Sequence, residues 1–371
     1  MNTSVSNFFY GNYSEARTQL LEASKAKHFP VMSYVHPTQK GAQGEALAID
    51  MVRVGTVKPR STIIVTSGVH GAEGFCGSGC QIALLNDDEL LGRIAGSDVA
   101  LLLIHAVNPY GFSHLRRVNE SNIDLNRNFL DFHVPLPVNA GYADVHSLML
   151  PDVWPPAKDN EDAVAAYIAE HGARQFQNAV STGQSAYPDG LFFAGTAESW
   201  SNRILRCILR EQAAHSQHIA WIDIHTGLGP SGHGEKIFAG RDDDAELARA
   251  RACWGADVMS PFTGDSFSEP LRGCATTSIY QECPEATAMA IALEYGTLDF
   301  AVVLNAIRAD QWLSNHPEAS PEQRAEIKAA VKDAFIVDSP EWRGMVYAQA
   351  RVAVLQAVLA LKTNAKVPNE N

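Results

Sequence analysis

The β-branched run Ser61-Thr-Ile-Ile-Val-Thr-Ser-Gly-Val69 ends directly on His70-Gly-Ala-Glu73 and then opens into a glycine-rich, helix-compatible stretch. A strand that stops on His-x-x-Glu presents an imidazole and a carboxylate from one tight turn to a single ion. Those are two of the three protein ligands in a His₂Glu catalytic zinc site. Alone the tetrapeptide is weak evidence, because both residues are common and the spacing is short. Its weight depends on whether the chain supplies a second histidine and a base at other strand ends.

Strand-like runs recur at 63–69, 99–107, 219–224, 236–239 and 288–294, after an entry helix at 14–27 and a β-type segment at 46–54. Helical patterns at 77–91, 200–215, 243–254 and 300–314 lie between or after them. This alternation predicts an α/β fold, with a mixed, mainly parallel central sheet flanked by helices. Several strands are apolar without alternation, as expected when both faces are covered. Two helices, 321–333 and 340–361, close the chain before a polar tail at 364–371. Residues 131–199 are rich in proline and glycine, with a helix-like piece at 161–180. They read as an insertion folded against one domain spanning 1–363, and loops of this length are often functional.

Composition narrows the function. The 371 residues are 46% hydrophobic, enough for one large core. Lys+Arg number 29 against 42 Asp+Glu, a net charge of −13 that repels phosphate backbones and argues against a nucleic-acid partner. The six cysteines contain no Cys-x-x-Cys pair and do not form a disulfide framework. Cys76 and Cys80 read as small buried residues on the first helix after the motif. The N-terminus shows no basic segment followed by an apolar one, and no run of eighteen apolar residues occurs. The expectation is a cytoplasmic protein with no membrane partner.

Four further segments carry chemistry. Trp221-Ile-Asp-Ile-His225-Thr-Gly again ends an apolar strand on a histidine followed by glycine. Ligands of open α/β sheets bind beyond the carboxyl ends of strands, where His70 and His225 could converge. Asp223 shares the face of His225 and could orient it, or serve as an ordinary surface carboxylate. After the strand at 99–107 comes Asn108-Pro-Tyr-Gly111, then Arg116, Arg117, Asn126 and Arg127. Arginine forks bind carboxylates in a bidentate manner, so this cluster suits an anionic substrate group or an oxyanion. Standing alone, it would read as surface salt bridges with Glu120 and Asp124. Glu294 ends the strand at 288–294, where a carboxylate costs desolvation energy unless it has a partner or a task. Tyr280 stands shortly before it in Ile-Tyr-Gln.

In this order, His70-x-x-Glu73, Asn108-Pro-Tyr-Gly111, Arg117, Asn126-Arg127, His225 and Glu294 resemble the zinc carboxypeptidase family over about residues 60–300. The resemblance implies one zinc ion on His70, Glu73 and His225, with Glu294 as general base and acid. It implies Arg117 (with Arg116 as its competitor) on the oxyanion, and Asn126 and Arg127 on the substrate carboxylate. It also implies Tyr280 as the family's mobile tyrosine, although the interval to Glu294 is shorter than in the digestive enzymes. The compact Arg117-Val-Asn-x-x-Asn-Ile-Asp-Leu-Asn-Arg127 is similar to the succinylglutamate desuccinylase and aspartoacylase branch. The implied architecture is the three-layer hydrolase fold, and the implied activity is cleavage of an amide in a carboxylate-bearing substrate. A carboxypeptidase on short peptides comes first, and an N-acyl amino acid deacylase is the alternative. A non-catalytic carboxylate-binding protein on the same fold is the rival from another class.

Overall fold

The computed structural model describes the backbone of residues 4–364, and residues 365–371 of the expected tail lie outside it. Eight strands form one sheet in the order β1-β2-β4-β3-β5-β8-β6-β7. They are β1 (Val31–Lys40), β2 (Ala46–Val54), β3 (Ser61–Ser67), β4 (Val99–His105), β5 (His218–Ser231), β6 (Gly234–Phe238), β7 (Val258–Met259) and β8 (Thr287–Gly296). The centre is parallel: β3 pairs with both β4 and β5, and β5 with β8. The outer pairings β1–β2, β2–β4 and β6–β8 are antiparallel. The sheet is therefore mixed and mostly parallel, as the alternation of strands and helices predicts.

Burial follows from the sequence pattern. All seven residues of β3 and all seven of β4 are buried, which explains their unbroken apolar runs. On one face lie α1 (Tyr13–Ala26), α2 (Gly74–Leu85) and α3 (Asp88–Ile94). They contribute Leu20, Phe75, Leu84 and Leu90 to the largest apolar cluster. The short helices α4 (Pro109–Ser113) and α5 (Leu125–Asn128) follow β4 on the way to the inserted stretch. That stretch folds as α6 (Tyr142–Met149), α7 (Lys158–His171) and α8 (Ala173–Ser181). The other face is covered by α9 (Trp200–Gln212), whose Leu205, Ile208 and Leu209 pack with Ile64, Leu102 and Trp221. The remaining helices are α10 (Asp244–Trp254), α11 (Ile279–Glu282), α12 (Phe300–Asn315), α13 (Pro321–Phe335) and α14 (Pro340–Asn364). By length and composition, α14 could cross a membrane; here Trp342, Val346, Ala353, Val354 and Leu361 are seated in the same cluster as the first face of the sheet.

Three expectations from the sequence are refined. The helix expected at 77–91 is two, because Asp87 caps a new start by accepting from the Leu90 amide at 3.0 Å. The piece expected at 161–180 is likewise two helices, parted at Gly172, whose φ of +85° falls in the left-handed region. β1 is a largely solvent-facing strand, paired over Val31–Val35 before its register shifts. Its polar residues and Pro37 hide it from a pattern reading. Within 131–199, Tyr142, Val145, Met149, Phe176 and Val180 form a small cluster of their own, with Leu304 and Ile307 of α12 packed against it.

Candidate metal centre and substrate cavity

The strand order makes β3, β5 and β8 immediate neighbours, so His70 just past β3, His225 on β5 and Glu294 on β8 meet at one carboxyl edge. His225 and Glu294 are directly paired across β5 and β8. Past β3 the chain makes a 3-10 turn over Gly71–Glu73 that runs straight into α2. Two amides of this turn bind the loop after β4: Gly71 N–H donates to Arg117 O at 3.0 Å and Ala72 N–H to Arg116 O at 2.8 Å. The contact is so close that a Cβ on Gly71 would stand 2.0 Å from the carbonyl carbon of Gly111, so only glycine fits.

His70, Glu73 and His225 are buried, each with a ligand atom within 4.8 Å of the others. One Glu73 oxygen lies 2.8 Å from His70 Nδ1, and the other 2.8 Å from His225 Nδ1. Each imidazole turns its far nitrogen to a separate carboxylate. His70 Nε2 is 3.1 Å from Asp124 Oδ1, and His225 Nε2 is 2.7 Å from Asp223 Oδ2. Asp223 is steadied in turn by Thr66 Oγ1 at 2.6 Å, which accepts from Trp221 Nε1 at 2.8 Å. For His225 this is the arrangement of a metal-binding histidine, whose non-ligating N–H is held by a carboxylate; at His70 the Arg117 guanidinium stands nearer, 2.8 Å from Nε2. The donor set therefore fits a divalent ion bound through the two Nδ1 atoms and Glu73.

The charges are coupled. Burial alone would raise the Glu73 pKa, but the imidazoles of His70 and His225 outweigh it and hold the carboxyl well below its usual range. Burial works against the charged form of His225, and Asp223 and Glu73 reverse it, lifting the imidazolium pKa well above the ordinary value. Asp124 is buried too, yet Arg117, His70 and Arg127 hold it ionised. Glu294 behaves oppositely. Burial, reinforced by the Glu73 charge, pushes its pKa up to about 8. Its Oε1 accepts from the Leu228 amide at 3.1 Å. Two carboxyls of one site are thus driven apart, the pattern that separates a ligand from a proton carrier.

The arginines divide. The Arg117 guanidinium reaches Asp124 at 3.0 Å, Glu73 at 3.1 Å and His70 Nε2 at 2.8 Å. Arg116, its competitor, points elsewhere: it binds Asp310 at 3.1 Å and Gln311 at 3.0 Å on α12, and Lys328 of α13 completes the group at Asp310. Arg127 lines the same cavity, donating to the carbonyls of Ser181 and Asn126, with the Phe192 ring centroid 5.5 Å away. Among the described residues it makes no ion pair; burial lowers its pKa, and the charge of Asp124 partly opposes that. Asn126 lies 3.3 Å from His225 Nε2 and accepts from the Ala275 amide at 2.9 Å. Tyr280 is not part of this site. Its hydroxyl donates to Glu246 at 2.6 Å and the Arg241 guanidinium lies 4.1 Å over its ring, both away from the cavity lining. The expected mobile tyrosine is instead tied down by an ionic partner.

The cavity is open to solvent and holds His70, Glu73, Arg117, Arg127, His225 and Glu294 on its lining. The sequence reading missed Asp124 as a support of His70. Its one signal is its position as cap of α5, where it accepts from the Asn126 amide at 2.9 Å.

Fold and site together define a carboxypeptidase-like α/β protein with a candidate metal centre. The fold is shared with bovine thrombin-activatable fibrinolysis inhibitor, solved with a tick carboxypeptidase inhibitor: TM-score 0.51 at 12% identity, covering 96% of this chain and 98% of that one. A second structure of thrombin-activatable fibrinolysis inhibitor gives TM-score 0.53 at 14% identity, covering 96% of this chain and 78% of that one. No curated protein matches the sequence. The chain belongs to the family described as "Protein of unknown function (DUF2817)", whose model matches residues 9–349.

Proposed function

We propose that this protein is a zinc-dependent hydrolase of an amide bond in a substrate that bears a free carboxylate, either a short peptide or an N-acyl amino acid. The observation that carries this reading is the pairing of both imidazole Nδ1 atoms with Glu73 while Asp124 and Asp223 hold the opposite nitrogens. When bound, zinc supplies Lewis acidity and a positive charge that favours the ionised form of a neighbouring carboxyl.

Every other role falls to side chains of the cavity. Glu294, paired with the ligand His225 across β5 and β8, takes a proton from the attacking water and returns it to the leaving nitrogen. Arg117 offers N–H donors to the developing oxyanion. Arg127, a buried cation in no ion pair, binds the substrate carboxylate beside Asn126.

Purified protein is expected to contain one zinc ion per chain and to lose hydrolysis of peptide or N-acyl amino acid libraries on chelation. Glu294→Gln is expected to retain the metal and lose about 10²–10⁴-fold in turnover. Undiminished turnover in that variant would refute the assignment of the base. Stoichiometric metal with no hydrolysis of any library would favour a carboxylate-binding protein.

A further inference from the structure

On its α12 side the cavity is walled by hydrocarbon, while Gln177, Ser181, Thr276 and Thr277 line other parts of it. Helix α12 turns Phe300, Val303, Leu304 and Ile307 into it. The spacing i, i+3, i+4, i+7 forms one stripe, about 10 Å long at 1.5 Å per residue. The stripe passes the metal centre at Val303: a Cβ on Gly227, two residues past His225, would lie 3.3 Å from Val303 Cγ1. Its Phe300 end is in solvent, at 44% exposed, and Phe262 of the same lining is 38% exposed. Phe238 and Ile237 of β6 also line the cavity. Exposed apolar rings at the rim of a cavity that is apolar behind them mark a ligand groove more than a packing defect.

A peptide lying along α12 would bring an N–H and a C=O with every residue, and this stretch of wall offers no hydrogen-bonding side chain to meet them. An alkyl chain has no such groups to desolvate. The opposite demand exists at Arg127, a buried cation that makes no ion pair and whose charge Asp124 meets only at longer range. We infer that the substrate is an amphiphile, an N-acyl amino acid whose long alkyl chain lies along α12 while its carboxylate meets Arg127. This rests on the proposed amide hydrolysis and narrows its substrate class. The oxygen of water adds to the acyl carbon, the C–N bond breaks, and the water's proton passes to the departing nitrogen. The products are a fatty acid and a free amino acid.

The test is a chain-length series, N-acetyl-, N-octanoyl- and N-dodecanoylalanine, kept below micellar concentrations and offered to the zinc-loaded protein beside Ala-Ala and Phe-Ala. We expect kcat/KM to rise roughly two- to fourfold per methylene until the wall is filled, with the dipeptides far behind the dodecanoyl compound. Ile307→Asn is expected to cut dodecanoyl turnover at least tenfold and flatten the series. Phe300→Ser, at the exposed rim, provides the same reading should the first variant fail to fold. Calorimetric affinities on zinc-loaded Glu294→Gln separate this inference from the hydrolase reading. Affinity that climbs with chain length, without hydrolysis of any amide by the wild type, keeps the amphiphile and removes the hydrolase. A flat series, in turnover and in affinity, overturns the amphiphile, and hydrolysis of the acetyl compound or the dipeptides would then leave the hydrolase standing.

Discussion

On the floor of the cavity, both oxygens of Glu73, Asp124 and Asp223 have a hydrogen-bonding partner within 3.1 Å. Along the α12 wall, a few ångströms from His225, no side chain can make such a bond. The two regions are held by different forces. The floor is directional, so each side chain has one tolerated geometry and removal of a partner leaves a buried charge exposed to its full desolvation penalty. The wall is non-directional, and its contribution scales with the apolar area that a ligand covers. Chemistry therefore sits where geometry is over-determined, and selectivity where only shape and area matter.

The largest effect expected from the floor concerns Glu294 in metal-free protein. Its folded pKa of about 8 lies above the ordinary 4.5, so the folded chain keeps a proton that the unfolded chain releases. The resulting stability is fully present below about pH 4.5 and lost as pH rises through about 8. Urea unfolding of chelated wild type and Glu294→Gln, compared at about pH 5 and pH 9, is expected to diverge by a few kcal/mol. Parallel stability curves would show that Glu294 is not the strained carboxyl of the floor.

Next comes the hold on the histidines. Asp223→Asn keeps the shape and removes the charge opposite His225, and metal affinity is expected to fall about 10–100-fold in competition with a chromogenic chelator. An unchanged affinity would mean that Asp223 supports the strand and does not tune the ligand.

The smallest effect is expected at Tyr280, which belongs to neither region. Tyr280→Phe removes one hydrogen bond to Glu246, which Arg241 still neutralises. We expect about 1 kcal/mol of lost stability and turnover within twofold of wild type. A large fall in kcat with unchanged stability would return this tyrosine to the reaction.

The same contrast explains what could be read from the sequence. His70, Glu73, His225 and Glu294 were legible because each closes or follows an apolar run visible in one dimension, although β5 continues past His225 to Ser231 and Glu73 lies in the turn after β3. The central strands were legible for the same reason. Asp124 was not, because its role comes from burial beneath Arg117 and His70, and its sequence surroundings are those of a surface loop. Arg116 and Arg117 are adjacent letters that the fold sends in opposite directions, one to α12 and one to the metal centre. Tyr280 shows the reverse error. A motif position pointed to the site, and a glutamate 34 residues earlier captured the hydroxyl. Helix α12 was expected only as a helical pattern at 300–314, and an apolar stripe on a helix looks alike whether it faces a core or a cavity.

The glycine-on-glycine contact between Gly71 and Gly111 bears on any effort to redesign this protein. A library randomised at either position would return almost only the parental residue, since one added carbon meets backbone that has nowhere to go. The ligand turn and the loop behind it form a single inherited block. Diversification has room only at positions such as Phe300 and Phe262, where solvent is already on one side.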